Sequence, residues 1–92
     1  MRRQLRVPRL RPGFYRSRRL HVVPGSAEDV AVNYTIGELA RAQLLPGPRD
    51  REELRTPVST VYARSVRGTE LMVLYCVEPP FVEILAVKPA GW

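Results

Sequence analysis

The chain has one cysteine, one histidine and one lysine in 92 residues, and its first acid is Glu28. Each shortage excludes something. A single cysteine, Cys76, rules out an intrachain disulfide, and its apolar neighbours mark it as a buried hydrophobe rather than a reactive thiol. The expected compartment is reducing and cytoplasmic. One cysteine with one histidine cannot build a zinc constellation. His21 sits in a short apolar run without a nucleophile elbow, which removes a Ser-His-Asp hydrolase. "GSAED" and "PGFY" are not phosphate loops, because no Gly-Lys-Ser/Thr follows a strand. Glu70, Glu78 and Glu83 fall near strand ends or on exposed strand faces and read as solvated carboxylates, not as a glycosidase pair. No metal and no cofactor is expected. The longest apolar run is far below the ~18 residues a membrane span needs, and no apolar stretch follows the basic N-terminus as it would in a signal peptide. No membrane partner is expected.

What the chain has is arginine: fourteen, very unevenly placed. Arg2, Arg3, Arg6, Arg9, Arg11, Arg16, Arg18 and Arg19 precede the first acid and give that region a charge of +8. From residue 28 onward six arginines and Lys88 face nine acids, a balance of −2. The body is slightly acidic and any affinity for polyanions rests on the arm. Length predicts a single small domain at 20–92, with residues 1–19 as a basic arm. Pro8, Pro12 and the Pro12-Gly13 turn signal forbid a continuous helix there.

The expected fold class is α+β. "LHVV" within 18–23 reads as a short first strand, ended by Pro24-Gly25. Ser26 with Asp29 resembles a capping box and opens the main helix, about 26–45, which Pro46-Gly47 stops. Two readings compete inside it. Val30, Val32, Tyr34 and Ile36 alternate as a strand would, whereas a helix places Val32, Ile36, Leu39 and Ala40 on one face and Val30, Tyr34 and Leu45 on another. If the strand wins, a helix starts at Thr35, where Thr35 and Glu38 make a second capping pair. Residues 46–55, "PGPRDREELR", read as a polar connection with at most one helical turn. Three strands follow at about 58–67, 70–78 and 81–88, joined by Gly68-Thr69 in a type II′ loop and by Pro79-Pro80. They form a three-stranded antiparallel meander with the helix packed on it. The second of them is apolar on both faces and is expected at the centre.

Candidate chemistry is cationic and phenolic. Arg64 and Arg67 lie late in the first meander strand, Tyr62 shares the face of Arg64, and Tyr75 and Lys88 lie on the next two strands. Gathered on one surface, such groups hold phosphates and stabilise charge at a phosphodiester. Scattered, they are a solvated sheet face.

The stretch 52–88, with "VYARSVRG", "VLYCV" and "VEILAVK" in that order after a helix, resembles the RelE/ParE superfamily of small bacterial toxins. The resemblance covers about half the chain and lies mainly in apolar spacing. It implies a toxin-antitoxin component with an acidic antitoxin as partner. RelE-like members cut messenger RNA on the ribosome as metal-independent endoribonucleases; ParE-like members inhibit DNA gyrase. By position, Arg64 and Arg67 match the family's basic strand residues, Tyr75 its strand tyrosine, and Lys88 the basic residue after the last strand. The chain departs from the family after Lys88, where "PAGW" contains neither His nor Arg, and in having one helix in place of two. A non-toxic relative fits both departures. The alternative function is a non-enzymatic module that docks on RNA or the ribosome through the eight arginines of the arm. Two other readings of the arm stand beside it: upstream coding sequence from a misplaced start, and an Arg-rich transit peptide, against which its two prolines and single serine argue.

Overall fold

A computed structural model of the chain describes residues 22–78 and 81–90, together with the backbone of residues 9–10. The elements are β1 (Arg9–Leu10), α1 (Ala27–Arg41), β2 (Arg51–Arg55), β3 (Thr60–Ser65), β4 (Leu71–Glu78) and β5 (Phe81–Pro89). They form one sheet in the order β1-β5-β4-β3-β2. β2 to β5 run antiparallel to their neighbours, and β1 lies parallel to β5. The class is α+β, with α1 packed on one face of the sheet.

Residues 29–37 are helical. Ser26 caps α1 by accepting from the Asp29 N–H at 3.1 Å, while the Asp29 carboxylate reaches back to the Gly25 N–H at 2.9 Å. That reciprocal pair satisfies the Asp29 N–H, an orphan donor of the first turn, and the Gly25 N–H just before the cap, and Glu28 and Asp29 suit the positive dipole end. Packing decides the period. Val32, Ile36 and Leu39 are buried against the sheet, whereas Val30 and Tyr34 are 65% and 61% exposed. Half of the alternating set therefore faces water, as a helix requires. α1 ends at Arg41, short of the expected residue 45. Pro46 disfavours helical backbone at Leu45, and Leu45 instead turns into the core at 2% exposure.

The expected three-stranded meander is extended by one strand. "REELR" in the expected polar connection is β2, the edge strand, with all five residues exposed. It offers no apolar alternation to read, and its Glu and Arg are poor strand formers. The fold-back at Thr56–Ser59 aligns it with β3: the Thr56 N–H donates to the Ser59 carbonyl at 2.8 Å, and the Thr56 hydroxyl accepts from the Val58 and Ser59 N–H groups. The edge is blunted by charge and by a bulge between Glu52 and Leu54, both of which discourage edge-to-edge pairing. The β3–β4 connection also differs from the expected type II′ loop. The Thr69 N–H bonds the Val66 carbonyl at 3.2 Å, which makes Gly68 the third turn residue, with φ +77°. Only glycine takes that angle without strain. The strand expected at 18–23 lies mostly outside the described residues; Val22 and Val23 are not in a strand, and Val22 is buried in the core.

β4 is central, as its two-sided apolar sequence indicates. One face carries Leu71, Val73 and Tyr75 into the core with Val82, Ile84 and Val87 of β5, under α1. Met72 and Cys76, which alternate with them, are also buried, on the opposite face.

Candidate functional site

The loop between α1 and the sheet, "LPGPRD", sets one side chain under the sheet edge. Asp50 ends this loop, and its carboxylate is fully buried. Arg64 of β3 donates to it twice, Nε to Oδ1 at 2.6 Å and Nη2 to Oδ2 at 2.9 Å. The Gly47 N–H donates to Oδ2 at 2.7 Å, and the Tyr75 hydroxyl of β4 donates to the same oxygen. Strand pairing brings these partners together. Tyr62 lies opposite Tyr75, Arg64 opposite Val73, and all four share the face under α1. The two tyrosine rings pack at 5.7 Å between centroids, tilted by 33°. The approach at Gly47 is close: a Cβ there would lie 3.0 Å from Arg64 Nη2, so the guanidinium would have to give way slightly. A second layer closes the arrangement, with Arg64 Nη1 3.8 Å from Glu38 and Arg49 bridging Glu38 and the Ser65 carbonyl at 3.1 Å each.

Burial by itself works against the Asp50 charge. The hydrogen bonds from Arg64, Tyr75 and Gly47, with the charge of Arg64, outweigh it and hold the carboxyl below its usual value. Burial likewise opposes the charge of Arg64, and the Asp50 hydrogen bonds and charge outweigh it, so the guanidinium is held more firmly protonated than usual. Burial and donation to Asp50 push the Tyr75 hydroxyl above the ordinary tyrosine value. A carboxylate with four donors, a doubly bonded guanidinium and a phenol held protonated have little left for a substrate. The cluster ties loop, sheet and helix together.

The four residues expected to act together are divided. Arg64 and Tyr75 meet at Asp50, under the helix. Arg67 is exposed in the β3–β4 turn. Lys88 lies opposite Met72, on the sheet face away from α1, with Nζ 3.8 Å from Glu53 Oε2. A bulge in β5 is the reason. Leu74 pairs with Ala86 and Tyr75 with Ile84, which leaves Leu85 as an extra residue. Unbroken alternation from Ile84 would carry Lys88 to the face of Tyr75; the extra residue sends it to the other side. Of the eight arm arginines, Arg9 is placed by its backbone in β1, and the other seven lie outside the described residues.

The residue missed in sequence was Asp50. Its side-chain partners stand 14 and 25 positions away, and no local pattern joins them to it. The available signal was Arg64 itself, a charge on the inward face of a strand, which needs a buried acid. A shallow groove of about 660 Å³ opens beside the cluster between Pro46, Pro48 and Tyr62. On its rim Arg55 donates twice to the Glu52 carboxylate, both at 2.8 Å, so these two charges are engaged with each other. Elsewhere, Cys76, Glu78 and Glu83 bring a thiol and two carboxylates within 4.8 Å of one another at the end of the β4–β5 pair. One thiol and no imidazole is not the donor set of a structural zinc site.

Fold and site together define a small α+β protein with one helix on a mainly antiparallel sheet and a buried Arg-Asp-Tyr cluster. Comparison with protein-family models, with curated proteins and with solved structures gives no match. Among the described residues, no helix is long and apolar enough to cross a membrane.

Proposed function

We propose that this chain is a non-catalytic RNA-binding module, built on the plan of a RelE/ParE-like protein, that engages phosphates through its arginine-rich arm. The observation that carries the reading is how charge is divided. Within the body, Arg49 pairs with Glu38, Arg51 with Glu53, Arg55 with Glu52, Arg64 with Asp50 and Lys88 with Glu53. The remaining acids are Glu28, Asp29, Glu70, Glu78 and Glu83. If each took one arm arginine, three of the eight would still lack a carboxylate. A surplus of that kind is available to neutralise the phosphates of a polyanion, and such binding weakens steeply with salt. The separation of Lys88 and Arg67 from Arg64 and Tyr75 supports binding over cleavage.

The test is RNA binding by the full chain over a range of salt. The expected slope of log K against log salt is about −2 or steeper, from ~0.7 per phosphate neutralised on a single strand. Replacing Arg2, Arg3, Arg6, Arg16, Arg18 and Arg19 with Gln should remove most of that slope. Undiminished binding by this variant at every salt concentration would sink the reading.

The order of helix and C-terminal antiparallel strands, with two tyrosines beside Arg64, favours a second reading: a working toxin with an acidic antitoxin. Growth arrest on inducible expression, with mapped RNA cleavage, tests it. Arg67→Ala and Lys88→Ala are the informative variants, since Arg64→Ala breaks the buried cluster and reports on folding. A neighbouring gene for a small acidic protein would support this reading, and harmless expression of the wild type would remove it.

A further inference from the structure

α1 buries Val32, Ile36 and Leu39 and turns its opposite side to water. Side chains three and four apart share one side of a helix, so Ala27, Val30, Tyr34, Gly37 and Arg41 line that outer side. The outer side of a surface helix ordinarily carries charged and polar residues. This stripe has no acid, and it leaves Val30 and Tyr34 exposed. Its one charge is Arg41. Arg49, Arg51, Arg55, Arg64 and Lys88 each pair with an acid; among the described residues, Arg41 and Arg67 are the two cations that do not.

Gly37 is the second irregularity of this face. It stands inside the helix, where glycine is less stable than alanine, and its φ is not positive. The fold does not demand glycine here. The nearest atoms an added Cβ would meet belong to the tip of the Arg41 side chain, Nη1 at 3.0 Å, and that flexible tip can swing aside. The effect of Gly37 is on the surface. It opens a shelf between Tyr34, one turn before it, and Arg41, one turn after it. The Arg41 guanidinium lies back across this shelf toward Tyr34.

We infer that the shelf is a nucleobase-stacking site, where one base of a single strand lies against the Tyr34 ring and its phosphate meets Arg41. The inference rests on the RNA-binding reading above and adds a contact from the folded body to those of the arm. Charge and shape both fit. A tyrosine ring offers a stacking face to any base, and a guanidinium without an acid partner, on a stripe without acids, attracts phosphate. Gly37 lets the base come close to the helix, where a methyl group would hold it off.

The experiment uses the full chain with three strands of equal length: oligoadenosine RNA, the matching deoxyadenosine DNA, and an abasic strand that keeps the phosphates and lacks the bases. Tyr34 is exposed, so Tyr34→Ala leaves the core intact. It should weaken binding of both base-bearing strands about fivefold or more and leave the abasic strand unchanged. Gly37→Ala should weaken binding of oligoadenosine while raising Tm by about 4 °C or more, a combination that damage to the fold would not produce. Arg41→Gln should weaken all three strands and make the salt slope shallower by about 0.7. Weaker binding of DNA than of RNA assigns the shelf to RNA; equal binding assigns it to the base and phosphate that the two share, and either supports it. An equal loss on the abasic strand for Tyr34→Ala overturns the inference. So does wild-type affinity for oligoadenosine in both Tyr34→Ala and Gly37→Ala, which would leave this face to a protein partner and the reading of the arm intact. Absence of wild-type binding to every strand sinks the RNA-binding reading and the shelf with it.

Discussion

Asp50→Asn is the perturbation on which the structure speaks most directly. The substitution keeps size and shape and removes one charge. Arg64 is then left at 8% side-chain exposure beside a neutral amide, half of which is itself a donor. Removing one partner of a buried ion pair costs about 3–5 kcal/mol. Glu38, 3.8 Å from Arg64, still offers partial compensation, which places the expected loss near the lower end, about 3 kcal/mol. A domain of this size has roughly 5–15 kcal/mol in all, and each kcal/mol moves its Tm by about 4–8 °C. The expected drop is therefore about 12–24 °C. Urea unfolding followed by circular dichroism should show a lower midpoint with an unchanged m-value. Replacing the cluster with apolar residues, Asp50→Leu with Arg64→Met and Tyr75→Phe, should recover much of the loss, because desolvation of the pair disappears along with its attraction. A loss below about 1 kcal/mol for Asp50→Asn would refute the claim that this carboxylate holds the loop to the sheet.

The pH dependence follows from the same cluster. Asp50 is lowered from its usual 3.8, so its contribution is complete above about pH 4 and is lost as pH falls through the folded-state value; acid unfolding of wild type and Asp50→Asn should converge there. Tyr75 is raised from 10.0, so its contribution is complete below about pH 10 and is lost as pH rises beyond it; Tyr75→Phe should flatten the alkaline decline, read by denaturation at pH 9 to 11. Lys88→Ala should change stability by less than about 1 kcal/mol in urea titration, since its contact with Glu53 is long and partly exposed. Leu39→Ala, at a wholly buried helix position, should cost about 2–5 kcal/mol in the same assay.

Several features were legible because their causes are local. Ser26 and Asp29 announce the start of α1, since a cap is a contact between residues three apart. The central place of β4 follows from apolar residues at both parities of its sequence, because a strand buried on both faces has no polar side to show. Cys76, which stands in an apolar run of the sequence, is buried at 5% exposure. The strand alternation of Val30 to Ile36 misleads because a helix at 3.6 residues per turn also buries Val32 and Ile36, four apart. Only the neighbouring Leu39 and the sheet below it decide between them.

By itself, then, the sequence determined the helix start, the apolar strands of the sheet, the uneven placement of charge along the chain, and, with a single cysteine, the impossibility of an intrachain disulfide. These depend on composition and on neighbours a few residues apart. Tertiary structure decided three things. "REELR" became a strand because the Thr56–Ser59 turn laid it against β3, and main-chain pairing needs no apolar pattern. Arg64 and Tyr75 became a buried support because a loop delivered Asp50 to them, 14 and 25 positions from its own place in the chain. Lys88 was turned from them by one bulged residue, Leu85, since side chains alternate with a period of two and a single insertion exchanges the faces of everything beyond it.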